Sequence, residues 1–393
     1  MKNAMSLETL QRRIRNYESF GVHRTGWVGD MASAAWAVSE LASDGIEAEI
    51  EEFDFPKLNT RIASISWIRG NICGVPLHDC GSTGPSGISG SLVMAGAEDT
   101  RGKIVMAEAG DPDYGQQAIY KRIPELLKSG AVGLVLLRCD SLGSITVLNA
   151  YRIAEPFQLP VLQIACKDST ELVEAATAGV EVRLTVDTNF EPGIANNVVI
   201  TLEGEDREAS PVAIMTPRSG WFTCASERGG GVAIWLGLAT ALASMPCRKR
   251  TVHMVASSGH EINHYGLQSY LAAREDLETS ALAWLHLGAL IGSKATSVKI
   301  EPSTPELYTL AKTAFESSGA TRWTMWEQRG GEAENIAAAG GRYVSLRGGP
   351  SDGEHDDTFF HSPNDSIDRA TDIGLVVASG RACLQMVETL VAS

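Results

Sequence analysis

From residue 196 onward, short apolar runs alternate with longer segments of helical spacing. This alternation constrains the fold more than any other feature of the chain. It predicts strands at Val198–Leu202, Val212–Met215, Thr251–Ala256 and Ala281–Leu287. It predicts helices at Gly231–Ala243, Tyr265–Ala273 and Asp372–Val391. Strands without polar alternation are covered on both faces, so the expected architecture is an open α/β sheet flanked by helices. Gly231–Ala243 is nearly all apolar and should be buried all round.

Upstream, the first 55 residues read as helix, helix, strand. Ser6 is placed to cap the first helix, and Asp30 to cap a second running from Met31 to Ser43, which Gly45 stops. Ile46 to Phe55 alternates apolar and acidic residues, as a half-buried strand does. Between residues 59 and 189 the texture changes to glycine, small residues and short β-type runs. Strands are expected at Lys103–Ala107, Ala131–Leu137, Leu159–Ile164 and Val180–Val186. A helix over Gln116–Ser129 contains Pro124, a residue expected to interrupt it. The predicted division is therefore a main domain of residues 1–58 and 190–393, with a small β-rich insert at 59–189.

The chain has 393 residues, more than one core usually holds. Its formal charge of −15 disfavours nucleic acid or an anionic membrane as partner. No run reaches the ~18 apolar residues of a spanning helix, and the N-terminus lacks the apolar core of a secretory signal. Seven widely spaced cysteines without a CxxC pair predict a reduced, cytoplasmic chain without disulfides, each thiol a small buried hydrophobe. The expected partner is a small-molecule substrate, and a homodimer is the one assembly left open.

Reactive residue types gather where the predicted strands end, which is where open α/β sheets bind ligands. The segments are Thr216-Pro-Arg-Ser219, Ala225-Ser-Glu-Arg-Gly-Gly-Gly231, Ser258-Gly-His-Glu-Ile-Asn-His264, His286-Leu-Gly288 and Phe360-His-Ser-Pro-Asn-Asp365. In this order and spacing they resemble the M28 family of zinc aminopeptidases and carboxypeptidases, in its form with an inserted protease-associated (PA) domain. The family's helix-entry motif looks like Cys224-Ala-Ser-Glu-Arg-Gly-Gly-Gly231. Its Glu-Glu pair before Gly-Leu looks like His260-Glu261 before Gly266-Leu267, and its closing Tyr-His-Thr-x-x-Asp looks like Phe360–Asp365.

The resemblance implies a mixed sheet of M28 type and a metal site built from Glu227, Glu261 and His361, oxygen and nitrogen donors of kinds zinc accepts. A strict match puts Ser226 in the bridging position, so Glu227 serves only if the loop shifts. The other metal of the family loses both its own ligands, at Thr216 and Gly288. One divalent ion, zinc by donor type, is therefore expected. The family's general base falls on His260. Arg218 replaces an acid and would hold a substrate carboxylate or an oxyanion, unless it pairs with Glu227 or Asp365.

Other signals weigh less. His260-Glu-Ile-Asn-His264 spells HExxH, but that chemistry needs a helix, and a strand followed by Ser258-Gly259 precedes it. Ser219 is a nucleophile candidate with His260 as base, without a surrounding nucleophile elbow. His286 lies two residues from a lost ligand position. His78 and His355 read as solvated. Three functions compete: a single-metal hydrolase of an amide or related acyl bond with His260 moving the proton, a metal-free enzyme using His260, Arg218 and Ser219 on a small acid, and a non-catalytic binding protein.

Overall fold

The computed structural model describes residues 4–167, 169–349 and 358–393. They form two compact units, one of residues 1–54, 194–360 and 364–393, the other of 55–193 and 361–363. The boundaries fall at 54/55 and 193/194, a few residues from the expected 58/59 and 189/190.

In the first unit seven strands lie in the order Trp323–Met325, Ser297–Pro302, Tyr343–Gly349, Ala283–Leu287, Val212–Pro217, Val252–Ser257 and the C-terminal half of Glu181–Leu202. The four from Tyr343–Gly349 to Val252–Ser257 run parallel, and antiparallel pairings flank them. This is the mixed α/β sheet the alternation predicts. Val212–Pro217 is buried at every position because layers cover both its faces. On one side lie the helices Leu7–Ser19, Gly230–Ala243, Pro305–Ser318 and Ile373–Ala392, whose apolar residues share one core with the sheet. On the other, Tyr265–Ala272 and Ala333–Ala339 pack over Met215, Val255 and Trp284.

Local chemistry sets most boundaries. Ser6 accepts from the Thr9 amide, and Asp372 accepts from Leu375, each satisfying an orphan N–H of a helix start. Asp30 departs from its expected place. The second helix spans Val28–Ser43 with Trp27 at its start, so Asp30 lies inside the first turn and turns inward. The helix Ile373–Ala392 matches a membrane span in length and apolarity, but it buries Val376, Ala382, Cys383 and Val387 in the core.

The second unit has its own core. Strands Ile88–Met94, Ile104–Ala107, Gly133–Leu137 and Val161–Ile164 pair in parallel, with helices Ile119–Ser129 and Thr170–Thr177. Pro124 lies within the first of these helices without ending it, and Gly130 closes that helix at φ +85°. Two cysteine expectations fail here. Cys139 and Cys166 follow neighbouring parallel strands, which brings their Cα atoms to 5.7 Å, and they form a disulfide. Cys73 here, and Cys247 in the first unit, are exposed rather than buried. The disulfide removes the cysteine argument for a reduced, cytoplasmic chain. His78, expected at the surface, is 3% exposed beside Phe190.

Candidate functional site

The parallel strands of the first unit deliver their next residues to one edge, and buried charge collects there. Val212–Pro217 hands over Arg218 and Ser219, Val252–Ser257 leads into the 258–264 loop, and Ala283–Leu287 carries His286. One further residue, Glu332, enters from the turn that starts the helix Ala333–Ala339.

His260, His264 and Glu332 offer ligand atoms that all lie within 4.8 Å of one another, and all three residues are buried. His260 Nδ1 is 2.6 Å from Glu332 Oε1, and His286 Nε2 is 3.0 Å from Glu332 Oε2. His286 Nδ1 meets the Ser345 hydroxyl at 2.8 Å, and His264 Nδ1 lies 2.9 Å from the Asn335 side-chain amide. Burial and the charge of Arg228 hold His260 down to about 4, against the pull of Glu332. Burial likewise lowers His264. Burial opposes charge on Glu332 too, yet the surrounding histidines hold its carboxyl well below the ordinary range. The carboxylate thus keeps the charge, and His260 is neutral with its Nδ1 hydrogen donated to Glu332. Its Nε2 lone pair is left for a proton or an ion.

The HExxH motif reaches this geometry without a helix, as the preceding strand and Ser258-Gly259 lead one to expect. Its residues form a turn, with Asn263 and His264 at φ +64° and +58°, and the helix starts only at Tyr265. Left-handed backbone is costly away from glycine. Here it swings His264 back, bringing its ring to 5.2 Å from that of His260. Glu261 points away from both. Its Oε1 accepts from the amide and hydroxyl of Thr25 at 2.6 and 2.7 Å, and its Oε2 from Ser219 at 2.6 Å.

The metal set expected from the resemblance is therefore not the cluster that forms. Glu261 is occupied as described. Glu227 Oε1 is 2.9 Å from Arg228 Nη2, and its Oε2 accepts from the Cys224 thiol. His361 belongs to the second unit, where its Nδ1 lies 2.7 Å from the Val147 carbonyl. Glu227 meets donors of its own loop, Cys224 and Arg228, whereas Glu261 meets donors from distant parts of the chain, Thr25 and Ser219.

Arg218 and Ser219, expected to be catalytic, are both engaged by protein groups. Arg218 is fully buried, pairs with Asp30 Oδ1 at 2.7 Å, and donates to the carbonyls of Asp30 and Asn196 and to the Ser33 hydroxyl. Its partner is Asp30, not Glu227 or Asp365. Asp365 instead accepts the amides of Ser226 and Glu227, both at 2.9 Å. Ser219 donates to Glu261 and accepts the amides of Gly259 and His260, so it has no link to the His260 ring. His355 lies outside the described residues.

Sequence reasoning missed Glu332. The signal was thin: an acidic residue after Gly330-Gly331 at the start of a short helix, with nothing local to say that it turns inward. Gly331, at φ +67°, sits where an added Cβ would lie 2.9 Å from the His286 ring, so that glycine lets the carboxylate loop close over the histidine.

Two imidazoles and a carboxylate are donors that zinc takes. Each Glu332 oxygen accepts one ring N–H and keeps a further lone pair. The residues present could therefore hold a metal ion, and the three expected ligands Glu227, Glu261 and His361 do not make that group.

No family model matches the sequence, and no curated protein matches it. Solved structures match over nearly the whole chain. The zinc aminopeptidase BSAP from Bacillus subtilis is 17% identical, with 99% of this chain and 96% of that one covered at a TM-score of 0.81. A peptidase M28 precursor from Shewanella amazonensis is 18% identical, with 98% and 97% covered at 0.76. Glutaminyl cyclase from Porphyromonas gingivalis is 11% identical, with 98% of both chains covered at 0.53. The chain has the M28-type fold.

Proposed function

We propose that this protein hydrolyses an amide or related acyl bond in a small substrate, with one divalent ion, zinc by donor type, held by His260, His264 and Glu332. The observation that carries this reading is the meeting of three buried donors, two histidines from the loop that follows a parallel strand and Glu332 from a helix start. The shared fold supports it, since two of the matched structures are of peptidases and a third is of a cyclase.

His260 and His264 keep 8% and 7% exposure against 1% for Glu332, so an incoming acyl group meets the imidazoles first. Glu332 orients His260 through Nδ1, and His286, itself fixed by Ser345, holds the other carboxylate oxygen. The bound ion would act as a Lewis acid toward the acyl carbonyl and the attacking water. Arg218, Ser219 and Glu261 serve as the packed support behind the loop. We read residues 59–189 as an inserted domain of the protease-associated kind.

A second reading rests on the 2.6 Å His260–Glu332 contact. That pair is a complete acid–base dyad without an ion, with His260 moving the proton and Glu332 setting its tautomer. Metal analysis of the purified chain, zinc calorimetry and hydrolysis of aminoacyl anilides separate the two. The metal reading expects one ion per chain, activity lost on chelation, and a loss of about 10- to 100-fold or more in zinc affinity for Glu332→Gln. Unchanged zinc binding by Glu332→Gln would sink it. Turnover that survives chelation but falls about 10²- to 10⁴-fold in His260→Gln would establish the dyad instead.

A further inference from the structure

We infer that a cavity lined by Glu301 binds an organic ammonium group, a protonated primary amine carried on an apolar chain. The cavity belongs to the first unit alone, and none of His260, His264 and Glu332 lines it. The inference therefore does not depend on a metal.

The cavity has a volume of about 860 Å³, within the range of small-molecule sites. Its walls come from the end of the strand Ser297–Pro302, the first turn of the helix Pro305–Ser318 and the segment that follows Trp323–Met325. Glu301 is 5% exposed. Its Oε1 accepts from the Tyr343 hydroxyl at 2.5 Å, while its Oε2 is buried and has no hydrogen-bond partner among the described residues. Arg347 Nη2 stands 3.9 Å from that oxygen, beyond hydrogen-bond reach, and donates instead to the Gln328 carbonyl. Buried polar atoms are nearly always paired, so an unpaired carboxylate oxygen needs a reason. Burial raises the Glu301 carboxyl despite Tyr343 and Arg347, so the groups around it do not fully compensate its charge.

The rest of the lining says what the missing donor is. Tyr308, Trp326 and Tyr343 give the cavity three aromatic side chains. Aromatic faces attract cations, and the Trp326 ring already takes one, since the buried Lys299 ammonium lies 4.5 Å from its centroid. Glu327 and Arg329 are the other charged residues of the lining. Both are exposed and of opposite sign, so Glu301 is the one buried charge that lines the cavity. A buried acceptor among aromatic rings suits an alkylammonium, which brings both a positive charge and N–H donors. Sheet register sets this cavity beside the candidate centre. Ser345 lies opposite His286 on one side and Glu301 on the other. Glu301 is thus on the face that carries His286, two strands or about 10 Å away. The ammonium is then either the basic end of a substrate held at the centre or a free amine.

The experiment is calorimetric titration of the full-length protein with n-pentylamine hydrochloride, and with 1-pentanol and sodium pentanoate, which have the same chain and a neutral or negative end. Circular dichroism reports that each variant is folded. Pentylammonium should bind about tenfold or more tightly than pentanol, and pentanoate should bind most weakly. Glu301→Gln should weaken pentylammonium binding about tenfold or more, and Trp326→Leu about threefold. Trp326→Leu carries the test alone if Glu301→Gln does not fold. No binding of pentylammonium, equal binding of pentanol, or unchanged binding in both variants would overturn the inference. Binding lost in Glu332→Gln but kept in Glu301→Gln would place the amine at the candidate centre and overturn it too. Hydrolysis of the lysine and norleucine p-nitroanilides separates the two sources. A lower lysine-to-norleucine ratio of kcat/KM in Glu301→Gln assigns the ammonium to the substrate, and an unchanged ratio assigns it to a free amine. If neither anilide is hydrolysed, the proposed function fails, and the calorimetry still decides the cavity.

Discussion

Both units of this protein contain a sheet of parallel strands, and they use the carboxyl ends of those strands in opposite ways. In the first unit the ends carry Arg218, His260, His264 and His286, and Arg228, Glu227 and Glu332 gather among them. In the second, Gly133–Leu137 and Val161–Ile164 run on to Cys139 and Cys166, which close a disulfide. Among the described residues 55–193, no lysine, arginine or glutamate is buried. The buried aspartates there each accept hydrogen bonds from neighbouring groups. Asp79 accepts from the Tyr120 hydroxyl and two amides, Asp140 from the Leu142 and Ser144 amides, and Asp187 from Arg61. A parallel sheet thus offers a place for chemistry without requiring it. What marks the first unit is buried charge facing buried charge, which folding alone would not favour.

That contrast can be broken from either side. The largest structural effect is expected at Arg218. If it is a buried support, Arg218→Ala leaves Asp30 uncompensated and costs about 3–5 kcal/mol, read by urea unfolding followed through tryptophan fluorescence. All tryptophans but Trp67 lie in the first unit, so this signal reports that unit. A loss below about 1 kcal/mol together with lost activity would return Arg218 to the catalytic role assigned from sequence.

The disulfide is the matching test in the second unit. Cys139→Ser with Cys166→Ser should cost about 2–4 kcal/mol. The loss should appear as faster hydrogen exchange in the strands between Ile104 and Ile164, with zinc affinity unchanged. A fall in zinc affinity would show that the two units are not functionally separate.

The effect that is smallest per step of the experiment is one of pH. Burial raises Asp365 from 3.8 to about 7, against the amides of Ser226 and Glu227 that favour its charged form. Its folded value lies above its unfolded value, so the native chain holds a proton that the unfolded chain releases. The stability from this residue is present at low pH and is lost as pH rises from about 4 to about 7, at no more than about 1.4 kcal/mol per pH unit. Asp365→Asn should remove that part of the slope in unfolding curves taken at pH 5, 6 and 7. An unaltered slope would mean that Asp365 is ionised throughout.

The sequence alone determined the sheet of the first unit, because strands covered on both faces and a helix apolar all round leave few other ways to bury their side chains. It also marked the loops that could hold a site, since strand ends follow from strand positions. His260 was legible for that reason. Which side chains meet was decided only by the tertiary structure. Glu332 is 72 residues from His260 along the chain, and Asp30 is 188 from Arg218. Neither pairing leaves a local pattern. The backbone of Asn263 and His264 shapes a loop that gathers the two histidines of the motif, and it sends Glu261 to Thr25 and Ser219 instead. The cysteines failed for the same reason. Spacing of 27 residues says nothing until two parallel strands set their ends side by side. Periodicity encodes which face of an element is buried. Partners across the fold are chosen by packing many elements at once, and a linear pattern does not carry that information.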